Sequence, residues 1–216
     1  MFWQAFEAAR PEPAAWTDHY AAPMPDGRRL VLPLRDFGDT AVAGLIANQA
    51  SFAVLDQLVA WIVARIVPWR AEIVVGLPTL GHTVGAAVAR GLGHTGWVAP
   101  STTRKRWYDD ALSVPLASIT SPGTGANAGR RMWLDPRLLP ILQERRVLLV
   151  DDVISTGTSA RGGIALLQAA GVTPIGLAVA MIQGDAWRTG WPEIPVEAAF
   201  TTPRFRRVPD GWVPLG

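Results

Sequence analysis

Short, wholly apolar runs alternate along the chain with longer stretches whose apolar residues recur at helical spacing. Glu72–Leu77, Val147–Val150 and Ile175–Ile182 read as buried strands. The first two are each followed by a polar, glycine-containing loop and then a helical pattern, over His82–Gly91 and Gly157–Ala170. Gly171 closes the second helix. Upstream, Phe52, Leu55, Val59, Ile62, Val63 and Ile66 predict a helix over Asn48–Ile66 that stops before Pro68. Strands that are apolar on both faces, alternating with helices, predict an α/β fold: a doubly wound, mainly parallel sheet covered on both sides.

The flanks are less regular. The first 20 residues show no clean period and predict an irregular or short helical segment. Pro25-Asp26-Gly27-Arg28 carries turn chemistry and leads into Leu30-Val31-Leu32-Pro33-Leu34, a hairpin or edge strand in which Pro33 argues for the edge. The tail, 184–216, predicts a small irregular cap. The expected organisation is one domain over 1–216, with a core at about 45–183, a hood from about 1–35 and 184–216, and a mobile loop at about 101–129. Such a long loop inside a compact domain is usually functional or disordered.

Composition narrows the classes. The 216 residues are 49% hydrophobic and 18% charged, which argues against disorder. The absence of Cys excludes disulfides, Cys-ligated zinc and thiol catalysis. A net charge of +2 is small for a dedicated nucleic-acid binder, so nucleic acid is not an expected partner. The N-terminus does not read as a signal peptide. The best apolar run, Leu58–Trp69, is interrupted by Arg65 and Pro68, so a cytoplasmic protein without a membrane span is expected. Lys105 is the one Lys among 20 basic residues.

The most informative stretch is Val147-Leu148-Leu149-Val150-Asp151-Asp152-Val153-Ile154-Ser155-Thr156-Gly157-Thr158-Ser159. Open α/β sheets bind ligands at the C-terminal edge of their strands, and two carboxylates stand at that edge here. They can accept hydrogen bonds from neighbouring hydroxyls such as a ribose diol. The hydroxyl-rich turn then opens a helix whose backbone N–H groups and dipole suit an anion. Together the two halves fit a ribose 5-phosphate. A merely well-capped helix would explain the hydroxyls but not the acid pair.

This stretch resembles, position by position, the signature of type I phosphoribosyltransferases that binds 5-phosphoribosyl 1-pyrophosphate (PRPP). The resemblance covers roughly 72–183 and is nearest to the adenine- and xanthine-type enzymes. It implies that Asp151 and Asp152 hold the ribose hydroxyls and act in catalysis, and that Ser155, Thr156, Gly157, Thr158 and Ser159 hold the 5-phosphate. Gly76-Leu77-Pro78-Thr79-Leu80-Gly81-His82-Thr83 nearly spells a phosphate loop of the nucleotide triphosphatases, but His82 replaces its Lys. It also resembles the pyrophosphate loop of adenine-type enzymes, with Thr79 and Gly81 matching. That resemblance assigns Pro78, Thr79, Leu80 and Gly81 to pyrophosphate and implies a cis peptide at Pro78–Thr79. Leu80 stands where those enzymes carry Arg. Arg104 and Lys105 resemble the basic pair of the family's lid, which would place Lys105 in catalysis and both residues on the pyrophosphate. Tyr108, Asp109 and Asp110 follow, as substrate contacts or as surface partners. Gly91-x-Gly93-x-x-Gly96 follows a helix instead of opening one and is set aside.

Asp185 and Trp187 are candidates for the base, and both read alternatively as core of the hood. His19, His82 and His94 show no ligand spacing, so no directly bound metal is expected. Mg²⁺ is the implied cofactor, carried by PRPP with Asp151 and Asp152 as possible ligands. The implied function is Mg²⁺-dependent transfer of phosphoribose to a nitrogenous base, a purine by the nearest motifs, in nucleotide salvage by a homodimer. The alternative is a non-catalytic sensor of PRPP or nucleotides on the same fold. Arg204, Arg206 and Arg207 form a modest basic patch that reads as solvated.

Overall fold

The computed structural model describes residues 4–116 and 131–215. The strands are β1 Phe6–Glu7, β2 His19–Pro23, β3 Arg29–Asp36, β4 Thr40–Ala43, β5 Ile73–Gly76, β6 Ser113–Pro115, β7 Arg131–Trp133, β8 Val147–Ile154, β9 Gly176–Gln183, β10 Val196–Thr202, β11 Arg204–Val208 and β12 Gly211–Pro214. The helices are α1 Phe52–Ile66, α2 Gly81–Gly91, the short α3 Leu139–Leu142, and α4 Thr158–Ala169.

The core is a parallel sheet in the order β10-β9-β8-β5. A parallel bridge between Val75 and Val98 extends it beyond β5. Alternate residues of each strand point to opposite faces. Val74, Leu148, Val150, Ala178 and Ala180 face the cluster containing Val54, Leu58, Ile62 and Ile66 of α1 and Val84 and Val88 of α2. Ile73, Val75, Val147, Leu149, Leu177 and Val179 face Ile164 and Leu167 of α4. This double burial is why the strands are apolar throughout.

The hood differs from the irregular cap expected. It is a six-stranded antiparallel sheet in the order β1-β3-β4-β11-β12, with β2 also on β3. The N-terminal segment supplies strands instead of a helix, and β3 is central instead of an edge. Pro33 is tolerated because of its place on that strand. On one side of β3, β1 pairs as far as Leu30 and β4 begins at Leu34. The Pro33 carbonyl faces this gap and accepts from Gly44 N–H at 2.8 Å, so the donor it lacks would have no ladder partner there. The tail is likewise ordered. β10 pairs in parallel with β9 and carries the core past residue 183, while β11 and β12 form a hairpin in the hood.

Helix α1 starts four residues later than its apolar period suggests, because the Ser51 side chain caps it by accepting from Val54 N–H. The 18 residues Phe52–Trp69, with Arg65 and Pro68 among them, are long and apolar enough by length and composition alone to cross a membrane. In the fold, one face of α1 is buried in the core and Phe52 stays exposed. Of the long loop expected at 101–129, residues 113–115 form a ribbon with 131–133. Its tip, 117–130, lies outside the described residues.

Candidate functional site

Strand β8 runs four residues past its partner β5, whose register ends at Gly76 opposite Val150. Asp151 is therefore the first residue beyond the edge of β5, still paired with Val179 of β9. It is 5% exposed, and its Oδ1 accepts from Asp152 N–H at 2.9 Å. Burial, together with the neighbouring Asp152 carboxylate, pushes the Asp151 carboxyl well above the usual range. Burial raises Asp152 too, against a hydrogen bond to Asp151 that lowers it. Alone, the pair holds protons more tightly than free carboxyls do. A ligand that donates hydroxyl hydrogens to it would favour the ionised form.

The pyrophosphate-loop candidate lies directly against this pair. After Gly76 the chain turns through Pro78–Thr79, whose peptide bond is cis as the resemblance implied. It enters α2 at Gly81, where a Cβ would lie 2.5 Å from Asp151 Oδ1 and 2.9 Å from Asp151 Cα. Only the absence of a side chain lets the two loops meet. Leu80 packs against the apolar core and brings no charge to the site. His82 turns to the backbone: its Nε2 is 3.0 Å from Pro100 O, and its ring stands edge-on to Trp97. Burial lowers its pKa, which keeps the imidazole neutral.

The hydroxyl-rich turn closes the site. Gly157 takes φ 77° as the residue before α4. Thr156 and Thr158 hold each other through their hydroxyls at 3.1 Å. Arg161, missed in the sequence reading, braces this turn. Its guanidinium donates to the carbonyl of Thr156 at 2.6 Å and to that of Trp187 at 3.4 Å. The signal was present: a cation in the first turns of a helix opposes the dipole and needs another partner. Arg161→Ala is expected to weaken ribose 5-phosphate binding by about 10–100-fold, the effect of losing one hydrogen bond made by a charged group. Calorimetric titration checks this, and a Lys at 161 should restore part of the affinity.

The remaining candidates fall elsewhere. Arg104 pairs with Asp110 at 3.0 Å and lies over the Trp133 ring at 5.4 Å. The Lys105 carbonyl accepts from Tyr108 N–H. Among the described contacts none joins Arg104 or Lys105 to Asp151 or Gly81. Asp109 caps the turn that follows it by accepting from Ala111 N–H. Trp187 is 5% exposed, edge-on to Trp191, with the Arg188 guanidinium over its face. Its ring is enclosed by packing on the α4 side of the sheet, while Asp185 beside it stays exposed. Among the described residues, no group of three or more His, Asp or Glu side chains could hold a metal ion.

Residues 42–190 match the model of the phosphoribosyl transferase domain. The chain belongs to the phosphoribosyl transferase family. Its fold is similar to adenine phosphoribosyltransferases of known structure. The Giardia lamblia enzyme complexed with 9-deazaadenine matches with a TM-score of 0.56 at 23% identity, covering 69% of this chain and 80% of that one. The Thermoanaerobacter pseudethanolicus enzyme matches with a TM-score of 0.55 at 15% identity, covering 67% and 77%. Shorter sequence matches run to a different enzyme. Orotate phosphoribosyltransferase of Neisseria meningitidis is 58% identical over 36 residues, 17% of either chain. That of Polaromonas naphthalenivorans is 61% identical over 36 residues, 17% of this chain and 15% of its own length. The chain thus spans only about a sixth of those curated relatives.

Proposed function

We propose that this phosphoribosyltransferase moves the phosphoribosyl group of PRPP to a ring nitrogen of a heterocyclic base, releasing pyrophosphate. The observation that carries the reading is the contact between Gly81 and Asp151. It sets the candidate pyrophosphate loop, the acid pair and the turn opening α4 at one sheet edge.

The ribose 2- and 3-hydroxyls donate to Asp151 and Asp152, fixing the sugar. The N–H groups opening α4 and the hydroxyls of Ser155, Thr156, Thr158 and Ser159 donate to the 5-phosphate. The C1–oxygen bond to pyrophosphate breaks as the bond from C1 to the base nitrogen forms, and the nitrogen gives up its proton. Positive charge grows on the sugar ring in between, and the acid pair below it favours that charge. Leu80 adds no cation to the departing pyrophosphate, so that task falls to Arg104 and Lys105, once Arg104 leaves Asp110. The acid pair suits a divalent ion only as a minor contributor, since no third acid joins it. Mg²⁺ arriving with PRPP would neutralise charge on the pyrophosphate.

Leu80 also favours a second reading, a PRPP-binding sensor without turnover. Incubation with PRPP, Mg²⁺ and a pool of heterocyclic bases, followed by mass spectrometry, separates the two. The proposal predicts a new nucleotide mass and stoichiometric pyrophosphate. Saturable PRPP binding with neither product would favour the sensor.

A further inference from the structure

The hood places two arginines beside the end of β9 with no acid to pair with. Arg35 on β3 and Arg204 on β11 are both register partners of Val42 on β4. Directly opposed residues of antiparallel strands project to the same face, so the two flank Val42 in one row, with Cα atoms about 10 Å apart. Both side chains lie over bare backbone. A Cβ on Gly44 would lie 2.9 Å from Arg35 Nε, and one on Gly184 would lie 3.0 Å from Arg204 Cγ. Gln183 Nε2 donates to Ala43 O at 2.7 Å and so joins the two glycine positions. The result is a pair of linked glycine positions under two arginine side chains. It stands where β9 ends, one strand over from the turn that opens α4.

Pairing with acids divides the arginines of this chain. Arg28, Arg29, Arg65, Arg104, Arg137 and Arg207 each pair with an acid. Among the described residues Arg35 and Arg204 pair with none, and Asp36, next to Arg35, is taken by Arg207. Two like charges about 10 Å apart on one face repel, weakly through solvent. An anionic group between them would relieve the repulsion, and a planar guanidinium suits a carboxylate. The reading above already assigns the 5-phosphate to the turn that opens α4.

We propose that Arg35 and Arg204 form the acceptor subsite and select a heterocycle bearing a carboxylate. This rests on the phosphoribosyl-transfer reading above. The purine expected from the loop motifs gives way to an acidic base, and Arg204 moves from a solvated patch into the site.

Product nucleotides test this without requiring turnover. Two pairs differ in the base carboxylate: orotidine and uridine 5′-monophosphate, and nicotinate and nicotinamide mononucleotide. Ribose 5-phosphate is the control. At least one acid should bind more than 10-fold tighter than its partner. Arg35→Gln and Arg204→Gln, both exposed and replaceable without disturbing the core, should each erase most of that preference while ribose 5-phosphate binds as before. Equal binding within both pairs overturns the subsite alone. Parallel weakening of all ligands in the variants reassigns the arginines to the phosphate and also overturns it. Failure of the parent chain to bind ribose 5-phosphate overturns the underlying reading instead.

Discussion

Asp151→Asn/Asp152→Asn is expected to stay folded, to melt at pH 7.5 no lower than the parent chain, and to lose PRPP binding. The two effects share a cause. Burial raises both carboxyls, and the Asp152 carboxylate raises Asp151 further, so ionising the pair in the fold carries a cost that Asn removes. Below about pH 4 folded and unfolded states are both protonated, and the pair has no effect. As pH rises past the unfolded value, the unfolded chain ionises first and the parent loses stability relative to the variant. The loss is complete once pH exceeds the raised folded values. The melting difference between variant and parent should therefore grow from pH 4 upward. Asp26, Asp36 and Asp135, all held low by neighbouring arginines, act in the opposite direction but equally in both proteins, so the difference isolates the pair. For binding, two hydrogen bonds from the ribose to charged acceptors are each worth about 1.5–3 kcal/mol. Their loss predicts a fall in PRPP affinity of about 10²–10⁴-fold.

Gly81→Ala is the second large effect, and it strikes stability and binding together. The new methyl would lie 2.5 Å from Asp151 Oδ1, 2.9 Å from Asp151 Cα and 3.2 Å from Val150 O. Two of these are backbone atoms of the central strand β8, so a side-chain rotation cannot relieve the contact. Either α2 lifts off the sheet or β8 bends. Overpacking of this kind costs about 1–3 kcal/mol, or roughly 2–12 °C of melting temperature for a chain this long. PRPP affinity should fall as well, because the displaced group is the ribose-binding carboxylate. Gly96→Ala is the control: nothing lies within 4 Å of a Cβ there, and its melting curve should stay close to the parent's. Differential scanning calorimetry of the three proteins decides the point.

The parallel core was legible because burial on both faces leaves an unbroken apolar run, as at Val147–Val150. The acid pair was legible because nothing in a strand's own physics calls for Asp151 and Asp152 after such a run. The hood was not. Its strands are short, and their partners are remote: β4 pairs with β11 across some 160 residues, as in Val42 with Arg204. No local pattern announces such pairing, and Pro33 pointed to an edge because the gap between β1 and β4 exists only in three dimensions. β10 escaped notice because Val196–Thr202 carries Glu197, an alanine pair and a threonine pair, a weak signal between prolines. The same blindness hid the most useful features of the site. Gly81 was assigned to the pyrophosphate loop without its approach to Asp151, and Arg161 was not singled out, because the Thr156 carbonyl lies against it only in the fold. Arg204 read as solvated because Val42 and Gly184 are its neighbours only in the fold.

The central claim is that the acid pair and the turn after it hold PRPP. Its most direct test is calorimetric titration of PRPP, with Mg²⁺ present, into the parent chain and into Asp151→Asn/Asp152→Asn, after circular dichroism has shown both to be folded. The account predicts a saturable isotherm for the parent and none for the variant up to about 100 times the parent's Kd. Matching isotherms for the two proteins, or no binding by the parent chain, would contradict it.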